Sequence, residues 1–214
     1  GDDLKDIVIA DEDWSNIIDV EEWRRPQRPQ KSGSIRIGRH SRDQYVKWPA
    51  DQEELLTIYP DSKDFEIHVL GGAETPKKML GGLPSNWHVL KFGEMHPKDF
   101  LSELDVFVYY TYPDMVEAFG RVIIEAMAVG VPVIISPEYQ DLFGNAAIYA
   151  RPSEVKRNIE RLMSDDDYYE AQVERAINYV EKHFGYSKHA ARLEEIMGIT
   201  IGTKAVRDVQ GSTH

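Results

Sequence analysis

The stretch EAFGRVIIEAMAVGVPV, residues 117–133, decides the reading of this chain. Apolar residues at 122, 123, 126 and 127 recur at helical spacing and predict a helix over 121–129. Phe119-Gly120 supplies a turn that opens it. Gly130 ends it, Pro132 follows, and the apolar run 131–135 predicts a strand. Just upstream, DVFVYY (105–110) is a second β-rich apolar run. Two glutamates with seven residues between them, Glu117 and Glu125, flank the helix start. A helix N-terminus attracts phosphate through its free N–H groups and its dipole. A carboxylate held beside it accepts hydrogen bonds from sugar hydroxyls. The combination points to a pocket for a nucleotide that carries a sugar.

Outward from this block, strands and helices alternate. The residues predict strands at 35–37, 65–70, 87–92 and 147–149, with helices at 51–58 and 100–104. Alternation with nearly continuous apolar strands predicts a single Rossmann-like α/β domain, a doubly wound parallel sheet covered on both faces. The last third reads as extra C-terminal helices. Ser153 caps one that carries Val155, Ile159 and Leu162. Asp165-Asp166-Asp167 opens another with Tyr169, Val173, Ile177, Val180 and Phe184 on one face, and 187–197 forms a third. The expected organisation is a linker at 1–33, a compact domain at 34–197 and a polar tail at 198–214. Within the linker, Ile7-Val8-Ile9 is a candidate short strand, and RRPQRPQKSGS (24–34) is expected to be extended and exposed.

The bulk numbers exclude several classes. The net charge of −12 disfavours nucleic-acid binding, which needs a basic face, and docking on an anionic membrane. There is no apolar run long enough to cross a bilayer, and residues 1–12 lack the basic-then-apolar pattern of a secretory signal. Zero cysteines rule out thiol chemistry and fit a cytoplasmic location. The acidic triplets 11–13 and 165–167 read as structural rather than as metal sites. His40, His68, His88 and His96 read as dispersed, without ligand spacing, so no metal is expected.

In a doubly wound sheet, ligands bind beyond the C-terminal strand ends. Loops with a Gly leave such ends at Gly38-Arg39, Gly71-Gly72, Gly93 and 112–120. Arg39 and Lys47 are the cations able to reach a diphosphate there.

Taken together, the 105–135 block and GRHSRDQYVKWP (38–49) resemble the donor-binding signature of retaining GT-B glycosyltransferases, the "glycosyl transferases group 1" family (family 4-like). The resemblance covers roughly residues 34–197 and is most specific over 117–133. It implies the C-terminal, donor-binding half of a GT-B fold. Glu125 would hold the ribose hydroxyls and Glu117 the donor sugar. The backbone from Ala118 through Phe119 and Gly120 to Arg121 would meet sugar and phosphates. Arg39 and Lys47 would stabilise the departing nucleoside diphosphate in place of a metal ion, with Gly38 in the same loop. The loop at Phe92-Gly93-Glu94 would sit beside the base. The catalytic assignment falls on Glu117, Arg39 and Lys47. No cofactor is implied; the substrate is a UDP- or GDP-linked sugar, in bacterial polysaccharide or glycoconjugate synthesis. The implied partner is the N-terminal acceptor domain, for which this length leaves no room, so the fragment is expected to bind donor and transfer nothing alone. No transmembrane segment is expected in this chain, and peripheral membrane association of the intact enzyme stays open. Two other readings stand beside this one: half of a GT-B sugar-nucleotide epimerase, or a nonenzymatic α/β binding module.

Overall fold

A computed structural model describes residues 17–114 and 120–197, with side chains described to 194. Six strands form one all-parallel sheet: β1 Ile35–His40, β2 Phe65–Leu70, β3 Trp87–Leu90, β4 Val106–Tyr109, β5 Val133–Ile135 and β6 Ile148–Tyr149. Their order is β3-β2-β1-β4-β5-β6. The chain winds outward one way from β1 and, after β3, returns to wind the other way from β4. The switch point of the sheet is therefore the gap between the C-terminal ends of β1 and β4. Every residue of β4 and β5 is buried, as expected of central parallel strands covered on both faces.

Nine helices cover the sheet among the described residues: α1 Val20–Trp23, α2 Gln52–Ile58, α3 Glu74–Leu80, α4 Pro97–Ser102, α5 Arg121–Val129, α6 Gln140–Phe143, α7 Val155–Ser164, α8 Asp166–Phe184 and α9 Tyr186–Met197. The predicted bounds of α5 and β2 coincide with the observed ones. Asp165 caps α8 by accepting from the Tyr168 N–H at 2.8 Å, so this part of the acidic triplet is a helix start. Asp166 adds ion pairs to Arg28 and Lys31. The predicted strand at 7–9 and the triplet at 11–13 lie outside the described residues.

Four local readings need correction. β1 does not stop at Ile37. Gly38, Arg39 and His40 continue its ladder opposite His68, Val69 and Leu70, so Gly38 is a strand residue and not part of a loop. A Cβ at Gly38 would stand 2.0 Å from the Leu104 side chain, which occupies that space. β3 ends at Leu90 rather than at Phe92, whose ring is 62% exposed in the loop beyond. Helix α4 begins at Pro97, earlier than the predicted residue 100, because Pro fits the first helical turn and the His96 ring accepts from the Lys98 N–H. Helix α3 was not predicted. Its sequence ETPKKML is short and polar, and its N-cap residue Ala73 supplies no side-chain bond. Asp43, thirty-two residues before Thr75, accepts from the Thr75 N–H at 3.1 Å and substitutes for the missing cap.

The expectation that 24–34 is exposed fails at Arg25, which is 7% exposed. Its guanidinium donates to the carbonyls of Leu104 and Gly130 and to the Tyr169 hydroxyl, each at 2.8 Å. Such charge-assisted bonds tie the segment before β1 to the ends of α4, α5 and α8. Ile18 and Val20 add buried apolar surface to the same junction.

Candidate functional site

Two loops meet at the switch point. The loop after β1 runs from Ser41 to Trp48, and the loop after β4 begins at Tyr110. They are joined where the Tyr112 N–H donates to the Val46 carbonyl at 3.1 Å, and the Tyr45 and Tyr112 rings pack at 5.2 Å. The β4 loop leads into α5 through Gly120. Gly120 has φ +63°, a left-handed conformation that favours glycine, and a Cβ there would press to 2.9 Å on Phe143. This N-cap offers no side-chain hydrogen bond, so among the described residues no side chain caps the N-terminus of α5.

Glu125 sits one turn into α5 and is 5% exposed. Its Oε1 accepts from Arg121 Nε at 2.8 Å. Its Oε2 lies 3.6 Å from His40 Nδ1, the last residue of β1. Neither of those two atoms has a hydrogen-bond partner among the described residues, although both are buried. Burial is the main force on each group. It raises the Glu125 carboxyl above its ordinary value, with Arg121 opposing. It lowers His40 to about 4, with help from Arg39. The 3.6 Å separation would make an ion pair only with a protonated imidazole; desolvation outweighs that attraction, and at neutral pH His40 is uncharged. The result is a buried carboxylate oxygen with no donor among the described residues, at a cost of several kcal/mol unless something supplies one.

Arg39 is not at the crevice surface. Successive strand residues point to opposite faces, so His40 meets α5 while Arg39 enters the core beneath α2. It is fully buried, 0% exposed. Its guanidinium lies 3.8 Å over the Trp48 ring and donates to the Tyr59 hydroxyl (3.3 Å), the Tyr110 carbonyl (3.2 Å), Ser41 Oγ (3.1 Å) and the Lys47 carbonyl. Arg39 thus fixes the loop that carries Lys47 rather than facing a ligand beside it. Lys47 is half-buried in the tight turn Tyr45–Lys47.

Sequence reasoning placed Phe92 in the loop beside the base but missed its pairing with Arg42. Arg42 is exposed on the β1 loop, and its guanidinium is 5.0 Å from the centre of the Phe92 ring on the loop after β3. Gly93 follows with φ +78° and open space around it. Exposure of an aromatic ring under a cation is a signal only the packed loops reveal. Glu117, Ala118 and Phe119 lie outside the described residues. A separate hollow of about 300 Å³ opens further along the same edge, between Glu54, Thr111, Ser136, Glu138 and Arg151. It does not include Glu125 or His40.

A six-stranded parallel sheet whose strand order reverses between β1 and β4 defines a Rossmann-like, doubly wound class of domain. The glycosyl transferases group 1 family model matches residues 35–165, more than half of the chain, and the chain belongs to that family. Among solved structures, it is similar to Anabaena HepE in complex with UDP and glucose, with a TM-score of 0.62 and 18% identity over 78% of this chain and 48% of that one. It is similar to TarM, at TM-score 0.61 and 18% identity over 86% of this chain and 38% of TarM. It also matches the C-terminal domain of a glycosyl transferase group 1 family protein, LpcC from Francisella tularensis, at TM-score 0.54 and 17% identity, covering 79% of this chain and 99% of that domain. At these identities the likeness shows the fold. The chain spans about half or less of HepE and TarM. No curated protein sequence matches it.

Proposed function

We propose that this chain is the donor-binding half of a glycosyltransferase and holds a nucleoside-diphosphate sugar at the β1–β4 switch point. The observation that carries the reading is Glu125 Oε2, which is buried without a partner among the described residues, one helical turn from an α5 start that no described side chain caps. A ribose hydroxyl supplies the missing donor. With the ribose there, the diphosphate lies at the α5 N-terminus, where free N–H groups and the helix dipole favour negative charge. The base extends toward Phe92 and Gly93, with Arg42 at the rim. Glu117 and the 118–121 backbone face the sugar, as the family resemblance implies. UDP and UDP-glucose are bound in the HepE structures, which supports a nucleotide-sugar as the ligand class.

The chemistry follows from charge. As the bond between the anomeric carbon and the diphosphate breaks, negative charge grows on the leaving oxygens. A fixed helix N-terminus with Lys47 and Arg42 stabilises it without a metal ion at the diphosphate. Arg39 contributes by holding the β1 loop. Transfer with retention, to an acceptor held by an N-terminal domain, completes the reading; the chain alone binds donor and transfers nothing.

A thermal-shift panel of UDP, GDP and ADP tests it. A ligand of the folded state alone stabilises by RT ln(1 + [L]/Kd), so at least one nucleotide should raise the melting temperature in a saturable way. Indifference to all three would contradict the proposal and favour a nonenzymatic module.

A further inference from the structure

The histidines are not all dispersed. Parallel pairing of β2 with β3 sets His68 directly opposite His88, twenty residues away in sequence. Glu66 lies two residues before His68, so all three side chains stand on the same face of the sheet. The two imidazole rings are 4.9 Å apart, centre to centre. Glu66 Oε2 is 3.4 Å from His68 Nε2, and one ligand-type atom from each of the three groups lies within 4.8 Å of the others.

We propose that Glu66, His68 and His88 form a binding site for a zinc-class divalent cation. Bonds of about 2.0–2.2 Å to nitrogen and oxygen place tetrahedral ligands roughly 3.4 Å apart. The Glu66–His68 separation already has that value. His88 is exposed, so rotation of its side chain closes the remaining distance. Two imidazoles and one carboxylate suit zinc and the neighbouring late first-row ions better than magnesium or calcium, which prefer all-oxygen sets. The carboxylate is oriented from behind, because Ser34 Oγ donates to Glu66 Oε1 and leaves Oε2 toward the imidazoles. Arg36, the strand neighbour of Glu66, does not compensate it at close range. Its guanidinium is held by both carboxylate oxygens of Asp105.

The site is separate from the nucleotide crevice. Glu66 is five residues before Gly71 at the C-terminal end of β2, about 17 Å at ordinary strand rise. It joins β2 to β3, a four-residue edge strand. A bound ion there clips the edge strand to the sheet, and it does so whether or not the donor-binding reading holds.

The test is titration of the metal-stripped chain with Zn2+ in competition with a chromogenic chelator, alongside His88→Ala and Glu66→Gln. His88 is exposed, so its variant should keep the fold, which circular dichroism verifies. The expected result is one ion per chain, bound at least tenfold more weakly by each variant. Changes behind a metal ligand already cost about 10–100-fold, and loss of a ligand should cost no less. Zn2+ should also raise the melting temperature of the parent and not of His88→Ala. Equal affinity in parent and His88→Ala would overturn the proposal, as would the absence of stoichiometric binding.

Discussion

Glu125 Oε2 and His40 Nδ1 face each other at 3.6 Å, and neither has a hydrogen-bond partner among the described residues. One is an acceptor without a donor. The other is a ring nitrogen that burial keeps neutral. The pair spans the switch point from β1 to α5, so two distant parts of the sequence are held in an arrangement that, in the proposed function, a ligand hydroxyl completes.

The His40 environment has a measurable pH signature. Its pKa is about 4 in the folded chain against 6.5 ordinarily. Between those values the unfolded state holds a proton that the folded state does not, so stability rises with pH across that window and is lost as pH falls through it. Glu125, raised above its ordinary 4.5, contributes the opposite slope just above that value. His40→Gln removes only the first effect. Urea unfolding at pH 7 and 4.5 should show the parent losing on the order of 2 kcal/mol more than the variant. Parallel losses would mean that His40 titrates normally.

Arg39 and Arg42 should separate stability from binding. Arg39→Met strips donors from the Lys47 and Tyr110 carbonyls and from the Tyr59 hydroxyl. Urea unfolding should report a loss of roughly 2–4 kcal/mol, since buried acceptors left unpaired are costly. Arg42→Ala should leave stability within about 0.5 kcal/mol, as for an ordinary surface change. The same variant should weaken nucleotide binding most at low salt, where exposed charges act furthest. If Arg39→Met unfolds like the parent, the buried network does not hold the loop.

Gly120→Ala probes the start of α5. The left-handed backbone costs an alanine about 1–2 kcal/mol, and contact with Phe143 adds about 1–3 from crowding. Denaturant melts should show a drop of roughly 2–5 kcal/mol, together with weaker nucleotide binding as the helix start shifts. An unperturbed variant would show that this turn is not tightly defined.

The sheet was legible because its strands are apolar runs separated by glycines, and α5 because its 3.6 period, its opening turn and Gly130 agree with one another. The capping role of Asp165 was visible for the same reason: the signal is local. What escaped depends on contacts across the chain. Nothing near Ala73 announces that Asp43 caps α3. Nothing in KSGSIRIGRH tells which face Arg39 takes, because that depends on where β1 ends, and β1 ends three residues later than its apolar residues suggest. Arg25 looks like a solvated linker cation until Leu104, Gly130 and Tyr169 surround it. His68 and His88 become neighbours only through the register of two parallel strands. Glu125, in contrast, was placed correctly on its helix from spacing alone, while its unpartnered oxygen is a property of the packed site.

The most direct test asks whether Glu125 holds the ribose. Calorimetry would compare uridine diphosphate with its 2′,3′-dideoxy analogue on the parent chain and on Glu125→Ala. A hydrogen bond to a charged acceptor contributes about 1.5–3 kcal/mol, so removing either the hydroxyls or the carboxylate should weaken binding by about 10–150-fold. The two losses should not add: the variant should bind both nucleotides equally. Equal discrimination between the two nucleotides by parent and variant would show that the hydroxyls bind elsewhere and would contradict the assignment of this site.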